Sequence, residues 1–152
     1  METQLTLSMG GFPPLSARGC TQTLTSPPAH FVRTIEGQLI CLGPKIKKYV
    51  SVIEGSDVNV LSTDNLMIPG TELEVGCIQH LWQRVKGGPF TLSRTPIADS
   101  LCFMGQVLDA YEAPEEGFVS YRPLLKMALK SYTLSTDEWG LKTKWRMELE
   151  EV

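Results

Sequence analysis

The chain has 152 residues, of which 42% are hydrophobic, and its 14 basic and 17 acidic side chains give a formal net charge of −3. This length suits one domain with a hydrophobic core, and the composition excludes a disordered chain. The mild acidity argues against a general attraction to nucleic acid, so a nucleic-acid partner is not expected.

No apolar run approaches the roughly 20 residues of a transmembrane helix, and residues 1–4 lack the features of a signal peptide. We therefore expect a protein made and folded in a cytoplasm, with no membrane partner. The four cysteines form no Cys-x-x-Cys pair, and the Cys77/His80 spacing has no second pair to complete a zinc site. The sequence favours buried free thiols over disulfides and predicts no metal or cofactor.

The first third of the chain reads as short strands between turn signals. Residues 3–8 alternate as a strand, and the Gly/Pro-rich residues 10–14 predict a break. Residues 20–25 are β-prone and suit an edge strand. Residues 31–42 give the best hairpin signal, because two β-rich runs flank a turn in which Gly37 can adopt a positive φ.

The middle of the chain continues this pattern. Residues 48–54 predict a strand, whereas residues 55–57 and 62–65 read as loops and Pro69-Gly70 as a turn. Residues 71–82 predict one alternating element that ends at the Gly-Gly-Pro run. On one side of the alternation are Leu73, Val75 and Cys77, and on the other are Glu72 and Glu74. The element continues through Ile78, Leu81 and Trp82.

The last third predicts the longest strands. Residues 90–99 are turn-rich, residues 101–108 predict a strand and residues 114–117 an acidic loop tip. Residues 118–134 favour a strand, although a helix over 123–130 stays open. The strand is favoured by a period-two alternation. One side of it carries Tyr121, Leu125, Met127 and Leu129, and the other side carries Arg122, Lys126 and Lys130.

Residues 142–152 are predicted most clearly. They read as a strand with one solvent-exposed face, which should fix the C-terminus into a sheet. Residues 135–140 lead into it, and Trp145 is its apolar anchor. One face of this strand carries Thr143, Trp145, Met147 and Leu149. The other, solvent-exposed face carries Lys144, Arg146, Glu148 and Glu150.

About eight or nine strands with hardly any helix predict an all-β fold. The expected architecture is a single-domain antiparallel sandwich or barrel, with long Gly/Pro-rich loops, over residues 1–152. The Gly/Pro-rich residues 10–19 and 87–96 read equally well as plain loops or as arms that cover the sheet edges of neighbours.

No catalytic constellation stands out. His30 and His80 lack any accompanying nucleophile or metal motif, so a structural role is favoured for each. Three acidic pairs read as solvated surface rather than as glycosidase carboxylates. They are Glu72/Glu74, Glu115/Glu116 and Glu148/Glu150. The chain also lacks a phosphate-binding loop, so we expect no enzyme.

The one basic cluster comprises Lys45, Lys47 and Lys48 next to Tyr49. A nucleic-acid surface would combine such charge with exposed aromatic rings, but the cluster is short and the chain is acidic. A solvated loop is the favoured interpretation, followed by charge complementarity to an acidic neighbouring protein.

Several segments form a recognisable pattern, namely residues 15–24, residues 33–39, Lys48-Tyr49 with residues 53–57, and residues 69–75 before Cys77. Weaker similarity lies at residues 121–123, residues 137–140 and the terminal strand. Together these segments resemble a small family of tailed-bacteriophage virion proteins. The resemblance covers most of the chain but not residues 89–117. It implies a β-rich structural protein of the particle, in the tail or the tail tip and baseplate, and it brings no catalytic residues.

On this basis we expect a virion building block that works by assembly. Its expected partners are copies of itself in a ring and adjacent tail or connector proteins. The exposed residues Lys45, Lys47 and Glu115 are the predicted contacts.

Two other functions stay open. A β-barrel binding module for oligosaccharide or single-stranded nucleic acid would use exposed Tyr49, Tyr111 and Tyr121. A hydrolase with scattered catalytic residues would depend on His30 or His80.

Overall fold

The structure is a computed structural model, and the residues it describes form strands and turns without any helix. It describes residues 5–9, 12–17, 20–26, 30–43, 48–57, 68–140 and 143–152, with the backbone alone for 5–9, 12–17 and 57. The all-β prediction is therefore confirmed. The loop predicted at 62–65 lies outside the described residues.

Sixteen strands are present within these ranges. In chain order they are β1 Leu5–Met9, β2 Phe12–Ala17, β3 Thr21–Thr25, β4 Phe31–Arg33, β5 Leu39–Cys41, β6 Val50–Asp57, β7 Glu72–Gly76, β8 Leu81–Val85, β9 Gly88–Pro89, β10 Thr95–Pro96, β11 Cys102–Phe103, β12 Gln106–Val107, β13 Glu112–Ala113, β14 Gly117–Tyr121, β15 Pro123–Thr136 and β16 Thr143–Glu151.

The main sheet is antiparallel and curls into a half-barrel. Its strand order among the described residues is β2-β1-β7-β15-β16-β6-β3, and β10 also pairs with β15. The long β15–β16 hairpin lies at its centre, so the C-terminal strand has a partner on each side. The prediction that this strand fixes the C-terminus into a sheet is confirmed.

The predicted alternation places the core on one face of this sheet. Side chains of β16 and β15 alternate between buried and exposed, as their parity predicted. The main core comprises Ile53, Leu73, Val75, Cys77, Leu125, Met127, Leu129, Trp145, Met147 and Leu149. The opposite face carries exposed ion pairs between strands, such as Lys126–Glu72 and Lys130–Glu150.

A second sheet has the order β12-β11-β14-β8 and its own core. That core comprises Val85, Leu101, Phe103, Ala113, Val119 and Tyr121. Two small antiparallel pairs complete the described structure, β13 with β9 and β4 with β5. The β4–β5 pair is the hairpin predicted at 31–42, with Gly37 at φ +85° in its turn.

Several predicted boundaries were wrong. The break predicted at 10–14 contains the start of β2, which tolerates Pro13 and Pro14 because it is the edge strand of the main sheet. The loop predicted at 55–57 is the end of β6, since Gly55 lies directly opposite Trp145 and leaves room for its indole.

The prediction of one continuous element over 71–82 was also wrong. β7 ends at Gly76, and β8 begins at Leu81 in the other sheet. The strand predicted at 101–108 is two short strands joined by a tight turn with Met104 at φ +45° and Gly105 at φ +90°.

The long C-terminal segment needs two further corrections. Residues 118–134 span β14 and β15, which lie in different sheets on either side of Arg122. The helix alternative at 123–130 is wrong, because these residues pair with β7 and β16 on both sides. The Gly/Pro-rich segment 87–96 contains β9 and β10, which pair with β13 and β15 of the same chain.

Candidate functional site

A cleft of about 540 Å³, here called the edge cleft, lies beside β8, which is the last strand of the second sheet among the described residues. The consecutive residues Leu81, Trp82 and Gln83 all line it. The other lining residues of this edge cleft are Lys48, Tyr49, Ser93, Arg94, Tyr121 and Glu151.

An ion pair between Arg94 and Glu151 forms one wall of the edge cleft. The guanidinium Nε and Nη2 donate to the two carboxylate oxygens at 3.0 and 2.9 Å, and both side chains are only 15% exposed. The backbone N–H of Tyr49 donates to Glu151 at 2.9 Å, and the guanidinium lies 4.7 Å from the centre of the Tyr49 ring. This bidentate ion pair joins the C-terminal strand to the loop before β10.

The ion pair sets the charge state of the wall. Burial raises the pKa of Glu151, but the hydrogen bonds from Arg94 and the Tyr49 N–H outweigh it and place the pKa below the ordinary 4.5. The same bond raises the pKa of Arg94. The pair is therefore fully charged at neutral pH.

We expect this pair to contribute stability that acid removes. A carboxylate with a depressed folded pKa contributes fully above its unfolded pKa, and the contribution is lost as the pH falls from about 4.5 through the folded pKa. Denaturant unfolding of the wild type and Glu151→Gln, measured from pH 7 to 3, should show a difference in free energy of unfolding that shrinks in acid. A difference that stays constant over this range would contradict the assignment.

A second feature is the exposed apolar surface of the β4–β5 hairpin. We call residues 30–42 the arm hairpin. Its strands pair with each other and with no other described strand. Its large apolar side chains are between 42% exposed at Ile40 and fully exposed at Ile35. They are Phe31, Val32, Ile35, Leu39, Ile40 and Leu42.

The arm hairpin is apolar on both faces. The register pairs Val32 with Ile40, so these two side chains share one face. Phe31 and Leu39 lie on the other face, which follows from the same register. Since a two-stranded hairpin is marginally stable alone in water, a hairpin with two exposed apolar faces is a strong candidate for a contact surface.

The predicted contact residues fall in different regions. Lys45 and Lys47 lie outside the described residues. Glu115 is exposed at the acidic loop tip, where its neighbour Glu116 forms an ion pair with Arg84 at 2.7 Å. The third lysine of the basic cluster, Lys48, lines the edge cleft together with Arg94 and Glu151. The sequence did not predict this cleft.

The aromatic residues predicted for a binding module do not form one exposed face. Tyr121 is buried in the second core, where its hydroxyl lies 3.3 Å from that of Ser93. Tyr49 is half-buried against Arg94, whereas Tyr111 is exposed and stacks edge-on with Phe90. The exposed aromatic side chain at the edge cleft is instead Trp82, at 67%.

The histidines and the cysteines differ in their exposure to solvent. His30 and His80 are both exposed. Cys77 is buried, and burial raises its pKa to about 11. Cys20 and Cys102 are half-buried and Cys41 is exposed on the arm hairpin, so the prediction of buried thiols was wrong for Cys41 and holds fully only at Cys77. All four cysteines are free. The described ranges contain no cluster of three or more His, Cys, Asp or Glu side chains suited to a metal ion.

Sequence reasoning missed the edge cleft for a physical reason. Arg94 and Glu151 are 57 residues apart, and each looks like an ordinary surface charge in its own segment. One feature of the sequence could have indicated it. Glu151 lies two residues after Leu149 on β16, so its side chain is on the same, buried face of that strand.

Among the described residues, no helix is long and apolar enough to cross a membrane. Comparisons with protein-family models, curated proteins and solved structures find no match to this chain.

Proposed function

We propose that the chain is a structural component of a tailed-bacteriophage particle, in the tail or the tail tip, that acts by assembly rather than by catalysis. The observation that carries this proposal is the arm hairpin, whose two apolar faces are left exposed by its own chain. Monomeric proteins rarely leave such surfaces in water, whereas the subunits of an assembly cover them with neighbours. The sequence resemblance to virion proteins points the same way.

The rest of the fold fits a rigid building block. The centre of the main sheet is held by the long β15–β16 hairpin and by a continuous core on one face. A rigid body with an apolar projection can join copies without ordering a large segment at each contact, which keeps the entropic cost of assembly low. The partners under this proposal are copies of the chain in a ring and the adjacent tail or connector proteins.

Antibody labelling of intact particles tests this proposal. An antibody against the purified chain should decorate one position on the tails of particles from a lysate of the infected host. The chain should also remain in particles purified on a density gradient, as detected by mass spectrometry. A chain abundant in infected cells but absent from purified particles would contradict the proposal.

The edge cleft supports a second candidate, an oligosaccharide-binding module. Exposed Trp82 could stack on a sugar ring, while Gln83, Ser93 and Lys48 offer polar groups beside it. Assembly in the absence of any ligand separates the two candidates, because a binding module has no need to associate with itself.

A further inference from the structure

The second sheet has one side that does not face its core. Residues paired directly in an antiparallel sheet project on the same side, so the register defines one row of side chains across all four strands. The row consists of Val107, Cys102, Ser120 and Trp82. Phe118 lies two residues before Ser120 and projects on the same side, whereas the alternate residues Phe103 and Val119 lie in the second core. We call the side that carries this row the outer face.

The chain leaves large apolar groups of the outer face in solvent. Trp82 is 67% exposed, Val107 58% and Phe118 52%. A segment of the same chain does approach β8, because the Gln83 amide donates to the Thr91 carbonyl at 2.7 Å. Gln83 is an alternate residue of β8 and projects from the other side of the sheet, so this bond does not cover the outer face. Exposed aromatic groups on a rigid sheet are typical of protein contact surfaces.

Charges of both signs flank these apolar groups. Arg84 projects from β8, and its guanidinium bonds the Glu116 carboxylate at 2.7 Å. Continuing the β8–β14 register by one residue brings the exposed Lys86 opposite Glu116. At the other end of the two strands lie His80, which is exposed, and Arg122, whose Nε–H donates to a backbone carbonyl of its own chain. One end of the outer face therefore carries two bases beside an acid.

This arrangement is complementary to itself. Consider a two-fold axis between two copies, parallel to β8 and β14 and midway between these strands. It places β8 of one copy over β14 of the other, so each residue of β8 lies over the residue that it pairs with in its own sheet. Three matched pairs result, and the symmetry forms each of them twice: Trp82 over Ser120, Arg84 over Phe118 and Lys86 over Glu116.

Each matched pair is favourable for its own reason. The small side chain of Ser120 offers room for an indole. A guanidinium over the ring of Phe118 makes a cation–π contact, and Arg is the cation that most often does so. Lys86 over Glu116 joins opposite charges at the rim of the contact. In none of the three pairs does a charge lie over a like charge, so the surface that fits the outer face best is the outer face of a second copy.

We propose that two copies of the chain pack the outer faces of their second sheets on each other about this two-fold axis. Sheets that pack face to face lie roughly 10 Å apart with their strands within about 30° of each other, and this axis gives that alignment. The inference rests on the proposed function and names one contact by which copies assemble. The contact is isologous and closes as a dimer, which leaves the arm hairpin of each copy to link dimers into larger assemblies.

Charge reversal tests the proposed contact. In Lys86→Glu two carboxylates face each other across the contact, and in Glu116→Lys two ammonium groups do. Because the symmetry repeats the repulsion, each variant should raise the dimer dissociation constant at least about tenfold. Native mass spectrometry over a dilution series counts monomers, dimers and larger species separately. Lys130→Glu is the matched control, because Lys130 is also an exposed lysine beside a glutamate but lies on the main sheet, and it should dimerise like the wild type.

Mixing the two charge variants gives the decisive result. In a mixed dimer the glutamate introduced at position 86 faces the lysine introduced at position 116, and the unchanged Glu116 faces the unchanged Lys86. Mixed dimers should therefore form at concentrations where each variant alone stays monomeric, and isotope labelling of one variant gives them a mass of their own. Effects of a substitution within its own chain cannot produce this rescue, because mixing leaves both chains unchanged.

Trp82→Ser tests the apolar part of the contact. The tryptophan is buried twice in each dimer, so the variant should raise the dimer dissociation constant at least about thirtyfold. Trp139→Ser is its control, since Trp139 is 90% exposed and lies between β15 and β16 of the main sheet. All of these substitutions are at exposed side chains, and circular dichroism should show that the fold is retained.

Two results would overturn the inference while leaving the proposed function standing. They are an equimolar mixture that contains no mixed dimers and a Trp82→Ser variant that dimerises like the wild type, in each case with larger wild-type assemblies in the same spectra. Either result would mean that something other than a second outer face covers this surface. A wild-type chain that stays monomeric at every concentration would overturn the inference as well and would count against self-assembly itself.

Discussion

Gly55→Val should lower the free energy of unfolding by about 3 kcal/mol, the upper end of the usual cost of overpacking a core. A Cβ atom at position 55 would lie 2.8 Å from Cε2 and Cζ2 of Trp145, whose side chain is buried in the main core. The indole is 5% exposed and belongs to the main core, so moving it would disturb that packing. Urea unfolding followed by tryptophan fluorescence measures this change.

Two further variants show that the effect comes from the indole. Ser56→Val makes a similar change on the neighbouring residue, which is exposed, and should change stability by less than about 0.5 kcal/mol. Trp145→Leu removes the ring that the added side chain would strike, so Gly55→Val should cost much less in that background. Equal costs in the two backgrounds would contradict the account of this contact.

Arg94→Met should cost about 3 kcal/mol of unfolding free energy. It leaves the largely buried Glu151 carboxylate without its charge partner, and an unpaired buried charge is strongly destabilising. Replacing both residues with methionine should recover most of the loss, because the pair itself adds little beyond an apolar contact of similar volume. Denaturant unfolding of the three variants gives the coupling between the two positions.

Arg84→Met is the matched control for this prediction. Arg84 also forms an ion pair with a glutamate, but both side chains of the Arg84–Glu116 pair are more than half exposed. Exposed pairs contribute between about 0 and 1 kcal/mol, so this variant should be close to the wild type. A loss at Arg84 as large as that at Arg94 would show that burial is not the deciding factor.

Local patterns predicted much of the fold. The alternation of β16 identified Trp145, Met147 and Leu149 as core residues, because a half-buried strand must place one parity inside. The hairpin around Gly37 was equally clear, since its turn needs a positive φ. These features depend on neighbours in sequence, which is why the sequence reveals them.

Strand membership in sheets was harder to predict. Residues 71–82 and 118–134 each look continuous, yet each crosses from one sheet to the other near Ile78 and Arg122. At the second crossing, the Arg122 Nε–H donates to the Cys77 carbonyl at 2.8 Å and links the two crossing points. Such a link joins segments 45 residues apart, so no local pattern can signal it.

In the candidate site, too, local features were predicted from the sequence and long-range contacts were not. The sequence predicted the arm hairpin as an element but not its exposure, although the lack of any apolar–polar alternation in residues 39–42 was a usable signal. The edge cleft depends on where β8 ends up in the second sheet. Its basic neighbour Lys48 was singled out only as part of a charged cluster.

The mass of the purified wild-type chain in solution tests the central claim, assembly without a ligand, most directly. Light scattering across a concentration series, with negative-stain imaging of the same sample, should show rings or tubes that grow at the expense of a 16.9 kDa monomer. A strict monomer at every concentration would contradict the claim.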